Sequence, residues 1–236
     1  MVNPEAEKTL KKGKQFLESL LQKGLLEVKA LYKEEAATRR GNDIVLCEDG
    51  QLLPMLRSQS AAYHYRCLAD YFDEQQPSPI GLFLVTARPL QESTNEEERL
   101  MTHALCARLA EAAAERLTDP PQPSLKGREF SPSKGELEGV RPLRVAFGYA
   151  TCPDHSLKRI VFDRLQAEQK LDVTLTDHYS IQPSTSVCGL FIHHPEAQYF
   201  PVGRIDREQL RDYCQRRGIT IEEGEQLLSK FITHSS

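Results

Sequence analysis

The chain has 236 residues, of which 39% are apolar and 27% charged, and its 30 basic and 34 acidic side chains give a formal net charge of −4. This length allows one large domain or two small ones, with a sizeable core. The negative charge argues against a nucleic-acid-binding protein, which needs a basic surface, and no apolar run approaches the roughly 18 residues of a membrane helix. The N-terminus lacks a basic-then-apolar signal layout, so we expect a cytoplasmic protein that binds no nucleic acid and no membrane.

The first half of the sequence combines helical periodicity with short strand-like runs. Leu10, Leu17 and Leu21 recur at helical spacing, and Gly24 is suited to end that helix. The run over 80–86 is apolar enough to be a central strand. In chain order the predicted elements are a helix over 5–23, a strand over 44–47, a helix over about 58–72, a strand over 80–86 and a helix from about 95 to 117.

The second half begins with a proline-rich stretch. Residues 118–143 contain five of the 14 prolines, which predicts a linker or a long surface crossing. Because helices and strands then mix without a βαβ rhythm, the pattern favours an α+β fold with an antiparallel sheet over a doubly wound fold. The predicted elements are a loop over 144–154, a helix over about 155–169, strands over 173–176, 187–192 and 199–202, and helices over about 206–217 and 221–231.

Common catalytic and cofactor motifs are absent from the sequence. The motifs G-x-G-x-x-G, G-x-x-x-x-G-K-[ST] and G-x-S-x-G do not occur, and the six widely spaced cysteines predict free thiols rather than a disulfide framework. His193 and His194 would point to opposite faces of a strand, so we predict no metal site there. Asp154 with His155 is either a base with its orienting carboxylate or a helix N-cap followed by a solvated imidazole, and the second interpretation is favoured.

The run that begins at Arg144 combines residues that suit a small ligand. An arginine fork can clamp a carboxylate with paired hydrogen bonds. Ala146 and Gly148 are small enough to let a ligand approach the backbone closely, and Tyr149 offers an aromatic face. From these residues alone, the segment is either a ligand-binding loop or a pre-helix loop with an arginine ion pair, and the second is favoured.

The sequence from Arg144 to His155 resembles the R-x-A-x-G-Y-P-A-C-P-D-H signature of the activation domain of cobalamin-dependent methionine synthase. Further matches follow in the family's order over about residues 4–230, and the ordered set is far more specific than any one motif. The matching segments are G-N-D-I at 41–44, C-L-A-D-Y-F at 67–72, I-G-L-F-L-V-T at 80–86, R-L-A-E-A at 108–112, L-T-D-H-Y at 175–179, P-S-T-S-V-C-G-L at 183–190, H-P-E-A-Q-Y-F at 194–200 and D-R-E-Q-L-R-D-Y at 206–213.

The resemblance implies one C-shaped α+β domain over 1–236, with a bent antiparallel sheet flanked by helices, that binds S-adenosylmethionine in a groove. It assigns Arg144 to the methionine carboxylate of this ligand and gives no residue a catalytic role. A tyrosine face near the sulfonium is physically sensible, because a cation is attracted to the π cloud. The ligand-binding residues carried over are Arg144, Ala146, Gly148, Tyr149, Tyr199, Phe200, Glu111 and Glu138.

The sequence departs from the family at several motifs. The family's D-W-T-P-F-F segment, whose aspartate reaches the amino group of the ligand, has no match, nor has its Y-W-G-Y linker element. Ala150-Thr151 replaces the signature's P-A, and Cys188 replaces a serine. Each lost polar contact costs roughly 1–3 kcal/mol, so we expect weak binding or a site completed by a partner chain.

The function that the resemblance implies is presentation of a methyl donor. S-adenosylmethionine would supply the methyl group for the reductive methylation of cob(II)alamin, with a flavodoxin-type protein as electron donor. The D-x-H-x-x-G motif of cobalamin-binding domains is absent. We therefore expect cobalamin on a partner chain of a split methionine synthase, and no activity of this chain alone. The alternatives are a scaffold of the same fold that docks a corrinoid protein, and an activator of another corrinoid methyltransferase.

Overall fold

The structure, a computed structural model, describes residues 4–117 and 141–233. In chain order its helices and strands are α1 (Pro4–Gln22), β1 (Leu26–Arg40), β2 (Asp43–Leu46), β3 (Leu52–Pro54), β4 (Ser78–Pro89), α2 (Glu96–Arg116), β5 (Leu143–Ala146), α3 (Lys158–Leu165), α4 (Ala167–Leu171), β6 (Thr174–Leu175), β7 (Ile181–Gln182), β8 (Ser186–Ile192), α5 (Arg207–Arg217) and α6 (Ile221–Leu227).

A curled six-stranded sheet is the centre of the fold. Its strand order is β3-β2-β1-β4-β8-β5, and every neighbouring pair is antiparallel. The longest pairing joins β1 to β4, from Leu26 opposite Pro89 to Ala37 opposite Ser78. The α+β fold with a bent antiparallel sheet flanked by helices is confirmed.

Both faces of the sheet are covered by helices. Side chains alternate along β4, so Phe83 and Val85 face α2 while Leu82 and Leu84 face the larger core cluster. That larger cluster contains the buried apolar side chains of α3 and α4. On the α2 face, the rings of Phe83 and Phe191 stack with their centroids 4.4 Å apart. A third cluster joins α5 and α6 to the loop before them.

The predicted helix over 58–72 is wrong. The segment instead contains two short 3-10 turns, Ala61–Tyr63 and Leu68–Tyr71. Between them His64 and Tyr65 both have positive φ angles, of 51° and 53°. A right-handed helix requires negative φ throughout, so two successive left-handed residues separate the turns despite the apolar spacing of the sequence.

Two further predictions require correction at the strands. The predicted strand over 199–202 does not form, and Val202 N–H donates a single hydrogen bond to the Ala150 carbonyl at 2.8 Å. The predicted loop over 144–154 begins as strand, because β5 completes the edge of the sheet beside β8. The sequence did not predict β1, which carries charged residues on both faces and therefore lacks a clear alternation.

The predicted helix over about 155–169 is interrupted, because a 3-10 turn at His155–Leu157 precedes α3 and Gln166, with a φ of 53°, separates α3 from α4. The other predicted elements are confirmed, with boundaries that differ by a few residues. Asn95 caps α2 by accepting a hydrogen bond from Glu98 N–H at 3.1 Å, and Gly218 ends α5 with a φ of 68°. All six cysteines are free, and all but Cys47 are buried. The predicted linker over 118–143 lies outside the described residues except for its last three. Within the described ranges, no helix is long and apolar enough to cross a membrane.

Candidate functional site

An arginine on the edge strand and a glutamate on α2 form an ion pair. Arg144 lies opposite Phe191 in the β5–β8 pairing, and the Phe191 ring lies on the α2 face of the sheet. Directly opposite residues share a face, so the Arg144 guanidinium also projects toward α2. There its Nη1 donates a hydrogen bond to Glu111 Oε2 at 2.6 Å, with 25% of the arginine and 35% of the glutamate side chain exposed. Two predicted site residues, 33 positions apart, are thus in contact.

A cavity of about 270 Å³ lies between α2 and the loop that precedes β8. Glu111 and Tyr149 both line this cavity, so the structure places a third predicted site residue, Tyr149, close to the Arg144–Glu111 pair. The other lining residues are Ala107, Arg108, Ala110, Ser184, Thr185, Ser186 and Val187. The hydroxyl-bearing residues at 184–186 were not predicted as site residues, although their motif contributed to the resemblance. Their signal was the P-S-T-S-V-C-G-L segment itself.

The turn that carries Tyr149 is held by backbone hydrogen bonds. Gly148 N–H donates to the Cys152 carbonyl at 2.7 Å, and Cys152 N–H donates to the Tyr149 carbonyl at 3.0 Å. The buried Thr151 hydroxyl donates to the Phe200 carbonyl at 2.7 Å, which ties the turn to the next segment. Tyr149 lies at the tip with 55% of its surface exposed, so its ring is available to a ligand.

The two small residues of the signature have packing roles. Gly148 has a φ of 91°, and a Cβ at this position would overlap the His155 ring. Ala146 lies opposite Gly189 and packs against the cluster on the α2 face. On the Cβ side of Gly148, the space is therefore filled by an imidazole of the chain itself.

The remaining predicted residues are not all available to a ligand. Tyr199 is 53% exposed, whereas Phe200 has no exposed surface and belongs to the main core cluster. The expectation that the Phe200 ring contacts a ligand is therefore corrected to a core role. Glu138 lies outside the described residues.

Asp154 is a structural carboxylate rather than the orienting partner of a base. Its Oδ1 accepts a hydrogen bond from Ser156 N–H at 2.7 Å, as an N-cap does, and its Oδ2 accepts one from the Tyr213 hydroxyl at 2.6 Å. Burial and then the charge of Asp154 raise the pKa of Tyr213, which keeps the phenol protonated. The N-cap interpretation is confirmed. His155 is exposed on one side, but its ring is not the freely solvated imidazole that we expected, because it packs against Gly148 and Lys158.

The buried thiols near the site are not reactive groups. Burial raises the pKa of both Cys152 and Cys188, so each stays a neutral thiol at physiological pH. Across the described ranges, no group of three or more histidine, cysteine, aspartate or glutamate residues could hold a metal ion. The chemistry that the site offers is recognition of charge, polarity and aromatic surface.

Comparisons with known proteins identify the family of this chain. The sequence family described as "Vitamin B12 dependent methionine synthase, activation domain" matches residues 1–218. A crystal structure of the MetH reactivation domain bound to AdoHcy is similar to this chain, with a TM-score of 0.83 and 28% sequence identity over 98% of this chain and 78% of that chain. The match covers more than nine-tenths of the sequence, and the chain therefore belongs to the activation-domain family of vitamin B12-dependent methionine synthases.

Proposed function

We propose that this chain binds S-adenosylmethionine in the cavity beside α2 and presents its methyl group for the reductive methylation of a cobalamin held by a partner chain. The observation that carries the proposal is the Arg144–Glu111 pair, 2.6 Å apart, next to a cavity lined by Tyr149. The AdoHcy bound to the similar MetH reactivation domain supports this choice of ligand class.

The ion pair complements the amino-acid part of the ligand. That part is a zwitterion, so the Arg144 guanidinium suits its carboxylate and the Glu111 carboxylate suits its ammonium group. Both side chains are partly exposed, so a ligand can insert between them by exchanging one ion pair for two. This exchange limits the net gain, because the existing pair must open first.

The aromatic and hydroxyl groups around the cavity suit the rest of the ligand. The exposed face of Tyr149 can attract the sulfonium cation, and Tyr199 offers a second exposed ring. Ser184, Thr185 and Ser186 bring hydroxyl and backbone groups that can bind polar atoms. Such contacts orient a methyl donor, and they supply no acid, base or nucleophile.

The partner completes the reaction that we propose. Cobalamin on that partner supplies the cobalt that accepts the methyl group, and the reduction consumes one electron, for which we propose a flavodoxin-type donor. This chain contributes binding and orientation of the methyl donor. We propose that this cobalamin is held on a separate chain, as in a split methionine synthase, and that this chain is inactive alone.

Calorimetric titration of the purified chain with S-adenosylmethionine, and in parallel with S-adenosylhomocysteine, tests the proposal. We expect saturable binding of both ligands by the wild type. Arg144→Ala should weaken binding at least about tenfold, because one charged hydrogen bond to a ligand contributes roughly that much.

Arg159→Ala is the matched control. Arg159 lies on α3, which packs against the face of the sheet opposite α2, and it forms a surface pair with Glu168 at 3.0 Å, so its loss should leave both affinities unchanged. Absence of binding by the wild type at millimolar ligand would refute ligand binding by the isolated chain and favour the scaffold. Equal affinity of the wild type and Arg144→Ala would refute the site.

A further inference from the structure

The turn that presents Tyr149 rests on an imidazole from the next element. Gly148 has its left-handed φ of 91°, and the Cε1, Nδ1 and Nε2 atoms of His155 occupy the space that a Cβ would need. The backbone at Gly148 therefore lies directly against the edge of this ring. Any displacement of the ring changes the support of the turn and hence the position of Tyr149.

A buried lysine fixes the orientation of that imidazole. Lys158 Nζ lies 2.7 Å from His155 Nδ1 and donates a second hydrogen bond to the Tyr179 carbonyl at 2.8 Å. Lys158 is 7% exposed, so its ammonium group has little water to replace these partners. An ammonium can only donate, so Nδ1 accepts and the imidazole is neutral with its proton on Nε2.

The other side of the imidazole faces solvent. A cavity of about 360 Å³ lies there, separate from the cavity beside α2, and His155 lines it. A proton can therefore reach His155 from the solvent without passing through the ligand site. The titratable or charged groups that face His155, or line this cavity with it, are Lys158, Asp154, Lys230, Asp177, His178, Tyr179, Arg217 and Glu223.

We propose that His155 and Lys158 are positioning residues of the ligand site, and that the neutral imidazole holds the Gly148–Tyr149 turn in the binding geometry. The inference rests on the proposed function, because the turn matters only if Tyr149 contacts a ligand. Neither residue touches the ligand in this arrangement, and both act through the backbone at Gly148.

The pH dependence follows from the same contacts. Burial, then the charge of Lys158, lowers the pKa of His155 below its usual 6.5, so the ring is neutral at physiological pH. Protonation removes the acceptor at Nδ1 and places a second cation next to the Lys158 ammonium. Ligand affinity should therefore be constant at neutral pH and fall as the pH drops through this lowered pKa.

The first measurement uses the ligand-free chain. The backbone amide resonance of Gly148 is followed by NMR between about pH 8 and pH 5, with the His155 ring protons as the reference titration. We expect both to shift with one midpoint below 6.5 in the wild type. His155→Asn should abolish the Gly148 titration, because its amide oxygen can accept from Lys158 in place of Nδ1 but does not titrate. A Gly148 amide that ignores the His155 titration would overturn the inference and leave the proposed function intact.

The second measurement is calorimetric titration with S-adenosylmethionine over the same pH range. We expect the affinity of the wild type to fall about tenfold or more in acid. The affinity of His155→Asn should already be lower at neutral pH, because the ring that supports Gly148 is gone, and it should show no further loss in acid. Lys158→Met should move the midpoint of the acid loss of affinity to higher pH, because the charge of Lys158 lowers the pKa of His155. Lys230→Met is the matched control, because Lys230 also lowers the pKa of His155 but is exposed and acts through its charge. Lys230→Met should leave the affinity at neutral pH unchanged, and it should move the midpoint of the acid loss less than Lys158→Met does.

The outcomes separate the two proposals. If the wild type binds the ligand and His155→Asn keeps the same acid loss, the positioning role is refuted and the proposed function stands. An unchanged midpoint in Lys158→Met, with the fold verified by circular dichroism, refutes the role of the lysine. If the wild type binds no ligand at any pH, the proposed function fails, and the inference fails with it.

Discussion

Arg57 and Arg144 each pair with a carboxylate from another part of the chain, but the two guanidinium groups use their donors differently. Arg57 contacts both oxygens of Asp70 at 2.8 Å, Asn42 Oδ1 through Nε and Nη2, and the Tyr65 carbonyl through Nη1 at 2.8 Å. These bonds use all five of its N–H donors. Among the described residues, the side chain of Arg144 has one hydrogen-bond partner, Glu111.

The difference separates a structural brace from a binding site. A saturated guanidinium has no donor left for a ligand, and removing it would leave several polar groups without partners. A guanidinium with one partner keeps donors for the paired hydrogen bonds that a ligand carboxylate accepts. Of two arginine–carboxylate pairs with similar exposure, the one with fewer contacts is therefore the candidate for function.

The largest expected effect is on stability at the saturated pair. Arg57→Ala leaves Asp70 and Asn42 without their charged partner, so we expect the free energy of unfolding to fall by about 2–3 kcal/mol. Arg144→Ala should cost less than about 1 kcal/mol, because its pair is partly exposed and makes one hydrogen bond. Urea denaturation of both variants measures the contrast. Equal losses of unfolding free energy in the two variants would show that the number of N–H donors in use does not distinguish a structural arginine from a ligand-binding one.

These two pairs differ in how far the sequence could predict them. The spacing of apolar residues gave α2 and β8, which carry Glu111 and the partner of Arg144, because both patterns are local. Only the resemblance connected Arg144 to Glu111, since the contact depends on how β5 aligns with β8. Around Arg57 the local pattern predicted a helix, and the tertiary contacts of the 3-10 turns replaced it.

The contact between His155 and Gly148 could not be predicted for a similar reason. Both residues belong to the signature, but their positions in the sequence do not show that the ring fills the space at a left-handed glycine. The buried Lys158 is a second example. From sequence alone, a lysine at the start of a helix is expected to be a solvated charge. Lys158 is buried instead, and its burial depends on the Tyr179 carbonyl, 21 positions later in the chain.

A smaller effect is expected from the tyrosine beside Glu111, and it sharpens the definition of the ligand site. Tyr149→Leu removes the π face, so affinity for S-adenosylmethionine should fall about fivefold, the size of one cation–π contact of about 1 kcal/mol. Affinity for S-adenosylhomocysteine should fall less, because it has no sulfonium charge. The control is Tyr63→Leu, an exposed tyrosine on the Arg57 side, which should change neither affinity. Equal losses for both ligands would assign Tyr149 a shape role only.

The smallest expected effect is a pH dependence of stability at the saturated pair. Burial alone would raise the pKa of Asp70, but the hydrogen bonds from Arg57 and from the Cys67 N–H outweigh it and lower that pKa below the usual 3.8. A carboxylate with a lowered pKa in the folded state contributes stability above its unfolded pKa, and loses it as the pH falls through the folded value.

Asp70 should therefore add less than about 1 kcal/mol at neutral pH, since the group is partly exposed, and this contribution should disappear below about pH 4. Asp70→Asn should flatten that part of the stability profile, measured by urea denaturation at several pH values. An identical acid slope in wild type and Asp70→Asn would mean that the contacts of Arg57 with Asp70 brace the fold through geometry and not through charge.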